Sequence, residues 1–436
     1  MLMWDATHLA AVVGGQLKAP AQLAVGDLQF NSQAILPGQV FVALRGGQRD
    51  GHEFCAQALD AGAALCLVEQ PIEGSHIQVQ DTLQALVDIA KAHRQAVPGR
   101  VFAMTGSMGK TTTRRLLTAI LRQRSATLAT QGNYNNHIGV PLTLSRYVDQ
   151  HDVVLEMGAN HQGEIAQLRQ IGRPDIVAIT LAGRAHLEGF GGIAGVIKGK
   201  GEILDELPPG GCAVLNADDP AYDTWRARVG QGRVVSFGLG HADVMARHIS
   251  GVSFELVLGE QSIAVTLQLP GVHQINNALC AAAMAYADGL TAQQIKAGLE
   301  SVEPEAGRGR RIQHAGITLI DDTYNANPDA MIAAVSSLLA EDPAGLAILG
   351  EMKELGEASE AAHHEVGERA RELGLTRLWT THPAIARGFG PQAQQFENPM
   401  AIQAALDSLT GQHRVLVKGS RSAAMEGCFA HWTSGE

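Results

Sequence analysis

The stretch Met104-Thr105-Gly106-Ser107-Met108-Gly109-Lys110-Thr111-Thr112-Thr113 constrains this chain more than any other. Ahead of it, Arg100-Val101-Phe102-Ala103 is a short apolar run of the kind that forms a buried parallel strand. Behind it, Leu116, Leu117, Ile120 and Leu121 recur at helical spacing between Arg114 and Arg124. Strand, glycine loop, Lys-Thr and helix together make a phosphate-binding loop. Gly106 and Gly109 let the backbone turn tightly and bring N–H groups against phosphate oxygens. The helix N-terminus adds roughly half a positive charge. Lys110 is placed to reach β- and γ-phosphates, and the Thr111 hydroxyl to bind Mg²⁺. With Ser107, Met108 and Thr112 these residues form the candidate ATP site. Met104 stands where the general pattern has its first glycine. A glycine turn that only caps a helix is the plainer alternative, and the flanking strand and helix weigh against it.

A length of 436 residues predicts two to four domains, each with its own core. The formal net charge of -11 argues against a nucleic-acid or anionic-membrane surface, so any phosphate site must be built locally. Cys55, Cys66, Cys212, Cys280 and Cys428 are dispersed and show no C-x-x-C spacing, which fits reduced cytoplasmic thiols rather than a disulfide framework or zinc site. The N-terminal MLMWDATHLAAVVGG lacks a basic n-region and carries Asp5, which does not suit a signal peptide. No apolar run approaches the length of a membrane span.

Along the chain, residues 1 to about 80 alternate strand and helix: a strand at Val40–Leu44, a helix at Glu53–Ala61, a strand at Ala64–Val68. Asp81 caps a helix, and Pro98-Gly99 leads into the phosphate-loop strand. The middle region has buried-strand runs at Val153–Glu156, Ile176–Thr180 and Cys212–Leu215. Between 252 and 269 apolar and polar residues alternate, which predicts antiparallel strands beside a parallel sheet. A third α/β region starts near Ile312, with strands at Ile317–Ile320, Leu346–Leu349, Leu378–Thr381 and Val415–Val417. This alternation predicts a mostly parallel sheet with right-handed crossovers. The expected division is 1–80, 81–310 and 311–436.

Polar residues gather at predicted carboxyl ends of strands, where parallel sheets bind ligands. Glu156 ends one strand and is a natural Mg²⁺ ligand. His186 and Glu188 follow another; imidazole is not a typical Mg²⁺ ligand, so spacing alone leaves His186 open. Asn133, Asn135, Asn136 and His137 form a polar cluster before a helix, which by itself reads better as a loop of turn-forming asparagines than as an anion-orienting site. Asp322, Tyr324, Asn325 and Asn327 follow a further strand, and Lys418-Gly419-Ser420-Arg421 makes a basic turn suited to carboxylate or phosphate or simply to solvent.

These segments, in this order, resemble the Mur ligases, ATP-dependent amide-forming enzymes of peptidoglycan synthesis. The match is carried by the phosphate loop, Gly132 to Pro141, Glu156 to Ile165, Ala185 to Gly191, Lys200-Gly201-Glu202-Ile203, Asn216-Ala217-Asp218-Asp219, Asp322 to Pro328 and Lys418 to Arg421. The resemblance implies an α/β chain of three domains: an N-terminal one for the UDP-sugar end, a central phosphate-loop ATPase and a C-terminal Rossmann-like domain. It maps Mg²⁺ ligands onto Thr111, Glu156 and His186 and a carbamoylated lysine onto Lys200. It maps ATP contacts onto Asn277, Arg308, Asp322 and Asn325, and substrate contacts onto Ser32, Asn136, Lys418, Ser420 and Arg421. The Tyr324-Asn325-Ala326-Asn327 element points to the branch that adds D-alanyl-D-alanine to UDP-N-acetylmuramoyl-tripeptide. A cytoplasmic monomer is expected. Two segments depart from the family pattern: Asn31-Ser32-Gln33 replaces Asp-Ser-Arg, and His273-Gln274 replaces His-Asn. A folylpolyglutamate synthase-like ligase and a nucleotide switch without ligation are the alternatives.

Overall fold

The apolar runs become the middles of three sheets in a computed structural model that describes residues 4–47, 49–96, 99–147 and 150–433. Pro98 and the first three residues of the N-terminal stretch lie outside the described residues.

The first sheet runs Gln16–Lys18, His76–Gln78, Leu65–Val68, Val40–Val42, Leu28–Gln29 across its width, parallel except for the first pair. Helix Thr82–Ala96 begins at Asp81, whose Oδ1 accepts from Gln84 N at 2.9 Å. Its Ala85, Leu86 and Ile89 pack on this sheet's core, whereas Ala90 joins the core of the next.

The second sheet places strand Arg100–Thr105 between Asp152–Glu156 and Ile176–Ile179, parallel to both. Cys212–Asn216 and Arg233–Gly238 extend it on one side and Thr127–Ala129 on the other. The strand order therefore reverses at the phosphate-loop strand, the topological position at which such sheets open a crevice. Antiparallel ribbon Val244–Ser250, Ser253–Leu258 and Gln261–Thr266 completes the far edge, as the alternation between 252 and 269 predicts. Helices Lys110–Leu121, Val272–Ala287 and Ala292–Glu300 cover one face; Gly139–Ser145, Glu164–Gly172 and Ile193–Gly201 cover the other.

The third sheet runs Arg310–His314, Ile317–Asp322, His413–Lys418, Leu346–Leu349, Arg377–Thr380, Ala393–Gln395. Only its first pair is antiparallel. Parallel pairing puts Asp322 directly beside Lys418 at the carboxyl edge. All five cysteines are buried and free. No described helix is long and apolar enough to cross a membrane.

Candidate active site

The phosphate loop leaves strand Arg100–Thr105 and enters helix Lys110–Leu121 through two glycines that no other residue could replace without strain. Gly106 has φ 149° and Gly109 φ 81°. A Cβ on Gly106 would sit 1.9 Å from Thr180 Oγ1, and one on Gly109 2.1 Å from Asn277 Oδ1. The loop is pinned from the neighbouring strand end: Ser107 N donates to Leu181 O at 3.0 Å, and Ser107 Oγ to Gly183 O at 3.0 Å. Lys110 Nζ folds back onto Gly106 O at 2.6 Å. Burial, reinforced by the Arg308 cation, pulls the Lys110 pKa down, while the Glu156 and Glu354 carboxylates oppose that shift.

Glu156 is buried at the adjacent strand end. Its Oε1 accepts from Asn135 Nδ2 at 2.9 Å, and Arg114 Nε stands 3.4 Å from Oε2. Oε2 itself receives no hydrogen bond although the Arg114 cation stands beside it, so it keeps a lone pair free for a further cation. Lys200 is fully buried on helix Ile193–Gly201, with Nζ 3.4 Å from Ala159 O and 5.0 Å from the Phe190 ring centroid. Desolvation, with the Lys110 charge adding to it, lowers its pKa to about 7. Glu202, two residues on, accepts from Gly163 N at 2.7 Å and Ala166 N at 3.1 Å, holding the start of helix Glu164–Gly172.

The C-terminal sheet faces this loop across a cavity of about 620 Å³. The cavity is lined by Ser107, Met108, Gly109, Lys110, Thr111, Thr112, Asn136, Glu156, His186 and Asn277 from one side and Arg308, Asp322, Asn325 and Lys418 from the other. Arg308 stacks its guanidinium 3.7 Å from the Tyr324 ring centroid, a flat platform for an aromatic base. Lys418 Nζ bridges Asp322 Oδ2 at 2.7 Å and Asn325 O at 3.0 Å. Gln274 fills its departure from the family pattern usefully, since its Oε1 accepts from Asn277 Nδ2 at 2.9 Å. Asn136 Oδ1 accepts from Gly139 N, at the start of helix Gly139–Ser145, at 3.0 Å.

Other expected residues stand elsewhere. Gly106 and Lys200 are not among the residues that line the cavity. Ser32 is in the N-terminal sheet region, with Oγ donating to Gln57 Oε1 at 3.1 Å. Ser420 is buried and its N–H donates to Glu351 O at 2.8 Å; Arg421 is exposed and pairs with Glu426 at 2.7 Å. Sequence reasoning missed Glu354, which lines the cavity and meets His186. Its signal was the run of carboxylates after strand Leu346–Leu349.

Two Mur ligase family models cover most of the chain, the Mur ligase middle domain over residues 104–285 and the Mur ligase glutamate ligase domain over residues 307–421. The chain is 41% identical to the UDP-N-acetylmuramoyl-tripeptide–D-alanyl-D-alanine ligase of Escherichia coli K12, across 98% of this chain and 97% of that one. This chain is a Mur ligase. Two solved MurF structures share its layout. A crystal structure of MurF from Acinetobacter baumannii superposes with TM-score 0.92 at 33% identity, covering 98% of both chains. MurF from Thermotoga maritima in complex with ADP does so with TM-score 0.83 at 28% identity, over 94% of this chain and 97% of that one.

Proposed function

We propose that this Mur ligase joins D-alanyl-D-alanine to UDP-N-acetylmuramoyl-tripeptide at the expense of ATP, through an acyl phosphate. The observation that carries the reading is the meeting of a complete phosphate loop with Arg308, Asp322, Asn325 and Lys418 of the C-terminal sheet across one cavity. Near full-length identity to the Escherichia coli D-alanyl-D-alanine ligase supports the choice of substrates. Residues 1–80 are assigned to the UDP-sugar end, 81–310 to ATP and 311–436 to the closing domain. The buried free thiols support a reducing, cytoplasmic setting.

A carboxylate is a poor electrophile, and phosphorylation supplies its leaving group. ATP gives its γ-phosphoryl to the terminal carboxylate of the tripeptide. The amine of D-alanyl-D-alanine then attacks the acyl carbon, and the tetrahedral intermediate expels phosphate. The protein needs no nucleophile of its own. Lys110 and the loop N–H groups neutralise charge on the transferring group, and Asn277, Arg308, Asp322 and Asn325 hold the nucleotide. Lys418, with Ser420 and Arg421 beyond it, is assigned to the substrates, as are Ser32 and Asn136.

The residues present fit Mg²⁺. Among the described residues no three His, Cys, Asp or Glu side chains gather as a ready-made metal cluster. The groups that would hold it are instead the Thr111 hydroxyl, Glu156 Oε2, His186 and a carbamate on Lys200, a set dominated by the oxygen that Mg²⁺ prefers. When bound, Mg²⁺ draws negative charge from the phosphates. Lys200 suits carbamoylation because burial keeps a large share of its amine neutral near pH 7.

The test is ADP release measured with both substrates, each alone and neither, using tripeptides that end in diaminopimelate or lysine. A ligase turns over only with both. ATP hydrolysis without tripeptide would instead mark a nucleotide switch.

A further inference from the structure

Glu354 has no role in the reading above, yet it spans the cavity. Its Oε2 lies 2.6 Å from His186 Nδ1. Both residues sit in left-handed backbone, Glu354 at φ 63° and His186 at φ 55°. A residue with a Cβ holds that conformation only where its surroundings impose it.

The loop that carries Glu354 is anchored to the C-terminal sheet at its start. Gly350 N donates to Lys418 O at 2.8 Å, and Glu351 O accepts from Ser420 N at 2.8 Å. Met352 N donates to His363 Nε2 at 2.8 Å, and His363 is fully buried. The loop then seats against the central domain through Gly356, where an added Cβ would come within 3.2 Å of the Glu188 carboxylate. Glu354 therefore travels with the C-terminal body, while His186 travels with the phosphate loop.

A histidine that donates Nδ1–H to a carboxylate keeps its Nε2 lone pair free. Metal-binding imidazoles are commonly oriented in this way, by a carboxylate on the nitrogen away from the metal. We propose that Glu354 is the positioning residue that sets the His186 tautomer for Mg²⁺, so that the ligand set is completed only when the C-terminal domain is docked. The inference rests on the assignment of His186 as a metal ligand. It gives domain docking a chemical consequence: Thr111 and Glu156 are present in the central domain at all times, whereas a correctly oriented imidazole arrives with Glu354.

The test is side-chain ¹⁵N NMR of His186 in the full-length, metal-free enzyme, followed by Mg²⁺ with ADP, alongside Mn²⁺ affinity by electron paramagnetic resonance. In alkaline buffer, where an imidazole carries a single proton, wild type is expected to hold that proton on Nδ1 toward Glu354 rather than on Nε2, with Mg²⁺ shifting Nε2. Glu354→Ala is expected to mix the tautomers and weaken Mn²⁺ binding by about tenfold or more. Glu354→Gln, which keeps an acceptor oxygen, is expected to recover most of both. An unchanged tautomer in Glu354→Ala, unchanged Mn²⁺ affinity, or a Mg²⁺ shift on Nδ1 would each overturn the proposal. Loss of ligation by wild type would strike the functional reading alone, because the tautomer is read without turnover.

Discussion

Lys200 shows how place outweighs residue type. Composition alone makes a lysine in a helical run a surface residue, and the neighbouring Lys198 is one; Lys200 is fully buried instead. The difference was read only from the family resemblance, although buried Val196, one turn earlier, lies on the same face of helix Ile193–Gly201. The shift has a sign that experiments can follow. Between the folded pKa of about 7 and the ordinary 10.5, an unfolded chain holds a proton on Lys200 that the folded one does not, so this site adds stability as pH rises through that window. CO₂ reacts with the neutral amine, so carbamate occupancy should fall as pH drops below about 7. Activity in CO₂-depleted buffer should therefore decline most on the acid side and return with bicarbonate. Lys200→Ala should abolish most turnover while Lys198→Ala retains it, measured by phosphate release. Lys110→Ala should cut kcat by about 10²–10³ or more with the melting temperature unchanged, the usual cost of one charge contact made in a transition state. A near-normal kcat would remove the phosphate-loop assignment.

At the scale of elements, the sequence was clearest where strands are buried on both faces. Leu346–Leu349 is found at the boundaries its apolar run predicts, and Ile176–Ile179 ends one residue short of them. Edge strands Arg310–His314 and Ala393–Gln395 were not legible, because half-solvated edges carry Arg, Gln and His with no alternation to reveal them. Helix caps that come from distant residues were equally silent. Glu202 receives the N–H groups of Gly163 and Ala166 from 39 and 36 positions away. Its removal leaves two donors at a helix start without an acceptor, at a cost of about 1–3 kcal/mol each where water cannot enter. Glu202→Ala should lower the melting temperature in calorimetry, and Glu202→Gln should recover part of it through one retained acceptor. An unchanged transition for Glu202→Ala would show that this carboxylate does not brace the helix.

Over the whole molecule, the central and C-terminal bodies are joined by a few ionic contacts as well as by the cavity. Arg184 donates from N to Asp329 Oδ2 and from Nε to Asp329 Oδ1, each at 2.9 Å, and from Nη1 to Glu365 Oε2 at 2.5 Å. These groups are partly exposed, so each pair is worth at most about 1 kcal/mol after screening, and together they shift docking by roughly tenfold. Arg184→Ala should therefore enlarge the radius of gyration in small-angle scattering and raise the KM for ATP, and added salt should produce the same trend in wild type. Equal radii in wild type and variant would rule this contact out as a latch. Asn325→Ala should weaken ATP binding more than UDP-substrate binding in separate titrations. Asp322→Ala is the less clean probe, because it also strips buried Lys418 of its carboxylate and should lower the melting temperature. The layout of three sheets was readable from strand–helix alternation, but this seam was not, since its partners lie 145 and 181 residues apart. The seam can also be watched directly. Every native thiol is buried, and burial raises the pKa of Cys212, Cys280 and Cys428, the last to about 12. Cys55 is shifted the other way by its hydrogen bond with Cys66 but is buried as well, so maleimide dyes find little accessible thiolate on the folded wild-type surface. Cysteines introduced at exposed Thr224 and Ala361 would take a donor and an acceptor without deleting any native one. A single-molecule record of the two bodies closing on ATP is thus within reach of an otherwise unmodified chain.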